Sequence, residues 1–254
     1  VVMAFPKAIE INEEGPREGF QIEKKHYPLA ARAAVVDALS ETGLSKIQVA
    51  SFVSPKAVPT MADAAELFAA IKKKPGVTYT PLYLNAKGFE RARQVSEVDM
   101  EGRIHFYTTD QFALQNNNRP AAQVRDDQIA MIDLCVEHGV PLEGAYIMTA
   151  FGCNLTGEVP LSAITDLALW TAEQCRVRQM PLPTIVLADT VGWASPDDVK
   201  RRVNAVREVL PAARIGLHLH DTRGLGIANV YAALEEGVDF FEGSVAGLGG
   251  CPFA

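Results

Sequence analysis

The chain has 254 residues, 48% of them hydrophobic and 22% charged, so it can bury a sizeable core as a soluble globular protein. Its net charge of −7 excludes a general nucleic-acid binder or a protein held to anionic membranes by charge. Four cysteines (Cys135, Cys153, Cys175, Cys251) are scattered without a CxxC pair, which suits a reducing compartment. The N-terminus shows no charged region followed by an apolar core, and Met3 is a candidate true start. No apolar run approaches the ~18 residues of a membrane span, so a cytoplasmic location is expected.

Taken in order, the pattern predicts eight strands, each but the last followed by a helix. The first strand is expected over 8–12, followed by a polar turn over 13–19 and a helix over 25–42 ending at Gly43. A strand over 47–50 precedes a helix over 61–73 that Pro75 and Gly76 stop. The third pair is a strand over 78–82 and a helix over 87–95. The fourth is a strand over 103–107, the Asn116–Asn118 run as a loop, and a helix over 121–138. A strand over 144–149 leads to a helix starting near Leu161, with Ser162 a candidate cap. After a strand over 184–188, Ser195 and Pro196 open a helix as cap and first-turn proline. A strand over 215–219, a helix over 227–236 and a strand over 238–241 complete the series. Strand alternating with helix means βαβ units and a parallel sheet. Eight of them in residues 1–254 predict one (β/α)8 TIM-barrel domain, with the eighth helix expected beyond Ala254.

Active sites of such barrels lie at the C-terminal ends of the strands. The polar and glycine-rich segments GPREGFQ, SFVSPK, NNN, FGCN, DTVG, HDTRG and GLGGC all fall there, which predicts an enzyme. His218 and His220 are one residue apart near a strand end, so both imidazoles project from one face. That spacing fits half a metal site; it equally fits a histidine pair hydrogen-bonded to carboxylates. Glu18, in the turn after the first strand, could supply a third ligand, with Arg17 beside it to neutralise an oxyanion. A solvated surface ion pair would read the same. His26, His105 and His138 are read as structural, and Cys135 and Cys175 as helix residues. The GLGG run lacks the spacing of a nucleotide-binding fingerprint.

GPREGFQ, SFVSPK, ADTVG, HLHDTRG and SVAGLGGCPFA stand in the order and spacing of the hydroxymethylglutaryl-CoA lyase family, which the chain resembles over nearly its whole length. These are metal-dependent barrels that break carbon–carbon bonds, related to the isopropylmalate and homocitrate synthases. The resemblance implies Glu18, His218 and His220 as ligands of Mg²⁺ or Mn²⁺, with Glu18 where the family has aspartate. It implies Arg17 as the enolate-stabilising residue, Cys251 on a glycine-rich loop as general acid, and His218 or Asp189 as the base. Gln21, Gln48, Ser51 and Thr190 fall to substrate contact. Gln48 stands where the hydroxymethylglutaryl-CoA lyases usually carry glutamate. A further ligating asparagine is expected beyond Ala254. The implied reaction is retro-Claisen cleavage of a 3-hydroxy-3-methylglutaryl-CoA-like acyl-CoA to acetyl-CoA and a keto acid, by a homodimer. The alternatives are a lyase or condensing enzyme for another 3-hydroxyacyl-CoA, such as citramalyl-CoA, and a non-catalytic binding barrel.

Overall fold

The structure is a computed structural model and describes residues 5–250. These form two compact units, residues 10–101 with 242–250, and residues 102–241 with 5–9. No helix among the described residues is long and apolar enough to cross a membrane.

In the first unit, strands β1 (Glu10–Glu13), β2 (Lys46–Ser51) and β3 (Thr78–Leu82) run parallel. Helix α1 (Gly15–Ile22) follows β1 at once, then α2 (Leu29–Ser40), α3 (Ala64–Ala70) and α4 (Ala86–Arg93). Pro16 in its first turn pre-sets the backbone for α1 where the sequence pattern predicts a polar turn. The expected turn over 13–19 is thereby corrected to strand end and helix. On β2, Ile47 and Val49 are fully buried, as are Val36, Leu67, Phe68 and Phe89 from the helices. Burying side chains of this size contributes roughly 2 kcal/mol each. The register pairs Gln48 with Thr80 and then slips before Ala50 pairs with Pro81. Such irregularities re-aim side chains near functional sites.

The second unit holds β4 (Gly102–Tyr107), β5 (Leu142–Met148), β6 (Thr184–Asp189) and β7 (Ile215–Leu219), again parallel and in that order. The helices are α5 (Asp110–Asn117), α6 (Ala121–His138), α7 (Leu161–Val177), α8 (Pro196–Val209) and α9 (Gly226–Glu235). The last strand, β8 (Phe240–Gly243), gives its first two residues to this unit and its last two to the other. Ile104, Phe106, Ile185, Leu187 and Leu217 are fully buried, because parallel strands covered by helices are apolar on both faces.

Two further expectations are corrected here. Asn116 and Asn117 belong to α5, which Thr109 caps at the amide of Phe112, while Asn118 ends it in the left-handed region. Pro160, not Ser162, occupies the cap position of α7. The predicted Ser195 cap of α8 is present, its hydroxyl accepting from the Asp198 amide at 3.3 Å. The eight strands, the first seven each followed by a helix among the described residues, and their parallel pairings are those of the (β/α)8 fold class.

Candidate active site

In the second unit the candidate residues gather at the ends of β6 and β7. Ala188 pairs with His218 and Asp189 with Leu219, so the two strands deliver their polar ends at the same height. The Nε2 atoms of His218 and His220 are 3.1 Å apart. His220 Nδ1 lies 2.9 Å from the Thr190 carbonyl oxygen, which can only accept. The proton is therefore on Nδ1, and Nε2 of His220 presents its lone pair towards its neighbour. A histidine oriented this way through its second nitrogen is a prepared metal ligand. The donor set of this pair fits a divalent cation.

Asp189 and Thr190 support this pair. The buried Asp189 carboxylate accepts from the amides of Trp193 at 2.7 Å and Ala194 at 3.1 Å. Burial pushes the Asp189 carboxyl above the usual aspartate range, although those two amides and the nearby Arg223 pull the other way. Thr190 accepts from the Thr149 amide through its hydroxyl at 2.7 Å. Gly192 turns the chain in the left-handed region, packed where a Cβ would collide with Thr222.

In the first unit, α1 begins directly after β1 and so carries Arg17 and Glu18 at that strand's C-terminal end. Arg17 donates from Nη2 to Glu14 at 2.7 Å and to Glu18 at 3.1 Å, and from Nε to the side-chain oxygen of Gln48. Burial opposes its charge, but the carboxylates of Glu18, Glu14 and Glu242 outweigh that and keep the guanidinium protonated. Ser51, fully buried, donates to the Gln21 side-chain oxygen at 2.8 Å.

The start of the glycine-rich segment after β8 is fastened to the same helix. One oxygen of Glu13 accepts from the amides of Gly15 at 2.7 Å and Val245 at 2.9 Å. Leu248 packs where Gly19 has no side chain, and a Cβ on Gly249 would come within 3.0 Å of the Glu18 stem. Cys251, the expected general acid, lies outside the described residues. Glu13 and Glu14 are buried, hydrogen-bonded positions beside Arg17 and the segment after β8 that reading 13–19 as a polar turn overlooks. The available signal was their place at the end of a strand whose next residues are Gly15 and Pro16.

The HMGL-like family model matches residues 8–251 of the chain. Among curated relatives, the 3-hydroxy-3-isohexenylglutaryl-CoA/hydroxymethylglutaryl-CoA lyase of Pseudomonas aeruginosa is 39% identical, over 99% of this chain and 81% of its own length. A crystal structure of hydroxymethylglutaryl-CoA lyase from Pseudomonas aeruginosa superposes with a TM-score of 0.88 at 38% identity, covering 99% of this chain and 81% of that one. An HMG-CoA lyase from Acinetobacter baumannii, solved with coenzyme A and 3-methylmalate, gives 0.86 at 33% identity, covering 99% and 79%.

Proposed function

Because the chain belongs to the HMGL-like family of carbon–carbon lyases, we propose that residues 1–254 act as one catalytic domain. It cleaves a 3-hydroxy-3-methylglutaryl-CoA-like acyl-CoA to acetyl-CoA and a keto acid. The observation that carries this reading is the prepared pair His218 and His220, its Nε2 atoms 3.1 Å apart behind a carbonyl-oriented Nδ1. Family resemblance supports Glu18 as a third ligand. The group held there is Mg²⁺ or Mn²⁺, which when bound polarises a substrate hydroxyl and carboxylate.

His218 or Asp189 takes the proton of the substrate's tertiary hydroxyl. As the oxygen becomes a ketone, the carbon–carbon bond breaks and its electron pair moves into an acetyl-CoA enolate. Arg17, kept charged by its carboxylate neighbours, stabilises that enolate. Cys251 protonates the carbanion, a step that requires it as a thiol. Gln21, Gln48, Ser51 and Thr190 contact the substrate. The protein works as a cytoplasmic homodimer on a small-molecule acyl-CoA, with neither nucleic acid nor membrane as partner.

The direct test is identification of products from hydroxymethylglutaryl-CoA, with Cys251→Ala as control. Acetyl-CoA together with acetoacetate, lost in the control, supports the reading. Turnover of citramalyl-CoA alone would replace it with the closest rival, which Glu18 and Gln48 favour as departures from the family pattern.

A further inference from the structure

Gln48 is fully buried on β2, and its amide orientation follows from its partner. Arg17 Nε–H can only donate, so the oxygen of Gln48 faces it. That leaves Nε2 pointing elsewhere, and it has no hydrogen-bond partner among the described residues. A buried donor without an acceptor is costly, and such groups are retained where a ligand completes them. Beside it, Glu14 is 1% exposed and holds Arg17 Nη2 at 2.7 Å. Arg17 therefore already has the carboxylates of Glu14 and Glu18 against it. A third at position 48 would place three acids around one guanidinium.

We infer that Glu14 and Gln48 have separate roles, Glu14 as the positioning residue that sets Arg17 and Gln48 as the neutral donor whose Nε2 binds an acceptor oxygen of the anionic acyl group. Gln48 is thereby a specificity-determining residue. This rests on the lyase reading for the identity of the substrate, and on the hydrogen bonds of Arg17 for the separation of roles.

The test is a double-mutant cycle on the full chain with Mn²⁺, measuring kcat and KM separately for wild type, Gln48→Glu, Glu14→Gln and the double variant. Gln48→Glu keeps an acceptor for Arg17 Nε while it removes the donor and adds a carboxylate, so a residue that merely held Arg17 would tolerate it. The expected result is a KM raised at least about tenfold in this variant. Glu14→Gln lowers kcat about tenfold with KM within about threefold of wild type. In the double variant two carboxylates, Glu18 and the new one at position 48, again flank Arg17, so kcat recovers while KM stays high.

A Gln48→Glu enzyme with KM within about twofold of wild type overturns the donor role. A double variant whose kcat loss is the product of the two single losses overturns the separation of roles. Should Glu14→Gln fail to fold, Gln48→Glu still decides the donor role by itself. If wild type releases no acetyl-CoA, the proposed reaction fails. Calorimetric binding of free 3-hydroxy-3-methylglutarate with Mn²⁺ then decides the inference: weaker binding by Gln48→Glu supports it, and equal affinity overturns it.

Discussion

His220 turns its Nδ1 to the Thr190 carbonyl at 2.9 Å and its Nε2 to His218 Nε2 at 3.1 Å, so one backbone oxygen just after β6 sets which nitrogen of His220 faces its partner at the end of β7. Metal binding to the folded state stabilises it by mass action, about 2.7 kcal/mol at a hundredfold excess over Kd. For a chain of this size that corresponds to a rise in Tm of roughly 5–10 °C. Differential scanning calorimetry with Mn²⁺ should show this shift for wild type and none for His220→Ala. An equal shift in the variant removes the pair from the metal site.

The Glu13 carboxylate ties two backbone amides, and its burial raises its pKa above the ordinary 4.5 against the opposing pull of those bonds. A carboxyl whose folded pKa is raised binds its proton more tightly when folded. Its contribution to stability is then fullest below 4.5 and declines as pH rises through the folded value. Urea titrations should show wild type losing stability relative to Glu13→Gln over that window. Glu13→Ala, which orphans both amides, should cost about 1–3 kcal/mol near neutrality. A pH-independent difference between wild type and Glu13→Gln would refute the assignment.

At Gly192 the backbone has φ of 70°, and Thr222 fills the space a side chain would need. Gly192→Ala combines left-handed strain with a collision, so a loss of about 1–3 kcal/mol is expected in chemical denaturation. A Tm equal to wild type would mean the turn relaxes freely.

Burial pushes the Cys135 thiol up to about 11, and Cys175 is raised for the same reason, slightly offset by Arg178. Thiolate is the reactive form. Mass-spectrometric mapping after alkylation at pH 8 should find both unmodified in the folded protein and both modified in guanidinium. Rapid labelling of folded Cys135 would contradict its burial.

Much of the fold could be read from periodicity. The strands over 78–82 and 215–219 and the helix over 121–138 match their predicted bounds, the helix because Gly139 closes it in the left-handed region after His138. The histidine pair was legible because alternation within a strand states which residues share a face. Helix α1 was not, because Glu14 at its cap makes no side-chain capping bond, leaving Pro16 as the lone start signal. At Ser195 a capping hydroxyl and Pro196 occur together, and that start was legible. Helix α5 was hidden by its asparagines, whose poor intrinsic helix propensity is outweighed by the Thr109 cap and the burial of Phe112 and Ala113. Glu14 and Gln48 were beyond sequence reading as a couple, since only the fold brings both against Arg17.

The most direct test is metal-dependent release of acetyl-CoA from hydroxymethylglutaryl-CoA by protein first stripped with chelator. The account predicts no release from stripped protein, release on adding Mn²⁺ or Mg²⁺, and none in His218→Ala or His220→Ala under the same conditions. Release that persists without metal, or survives in either histidine variant, would contradict it.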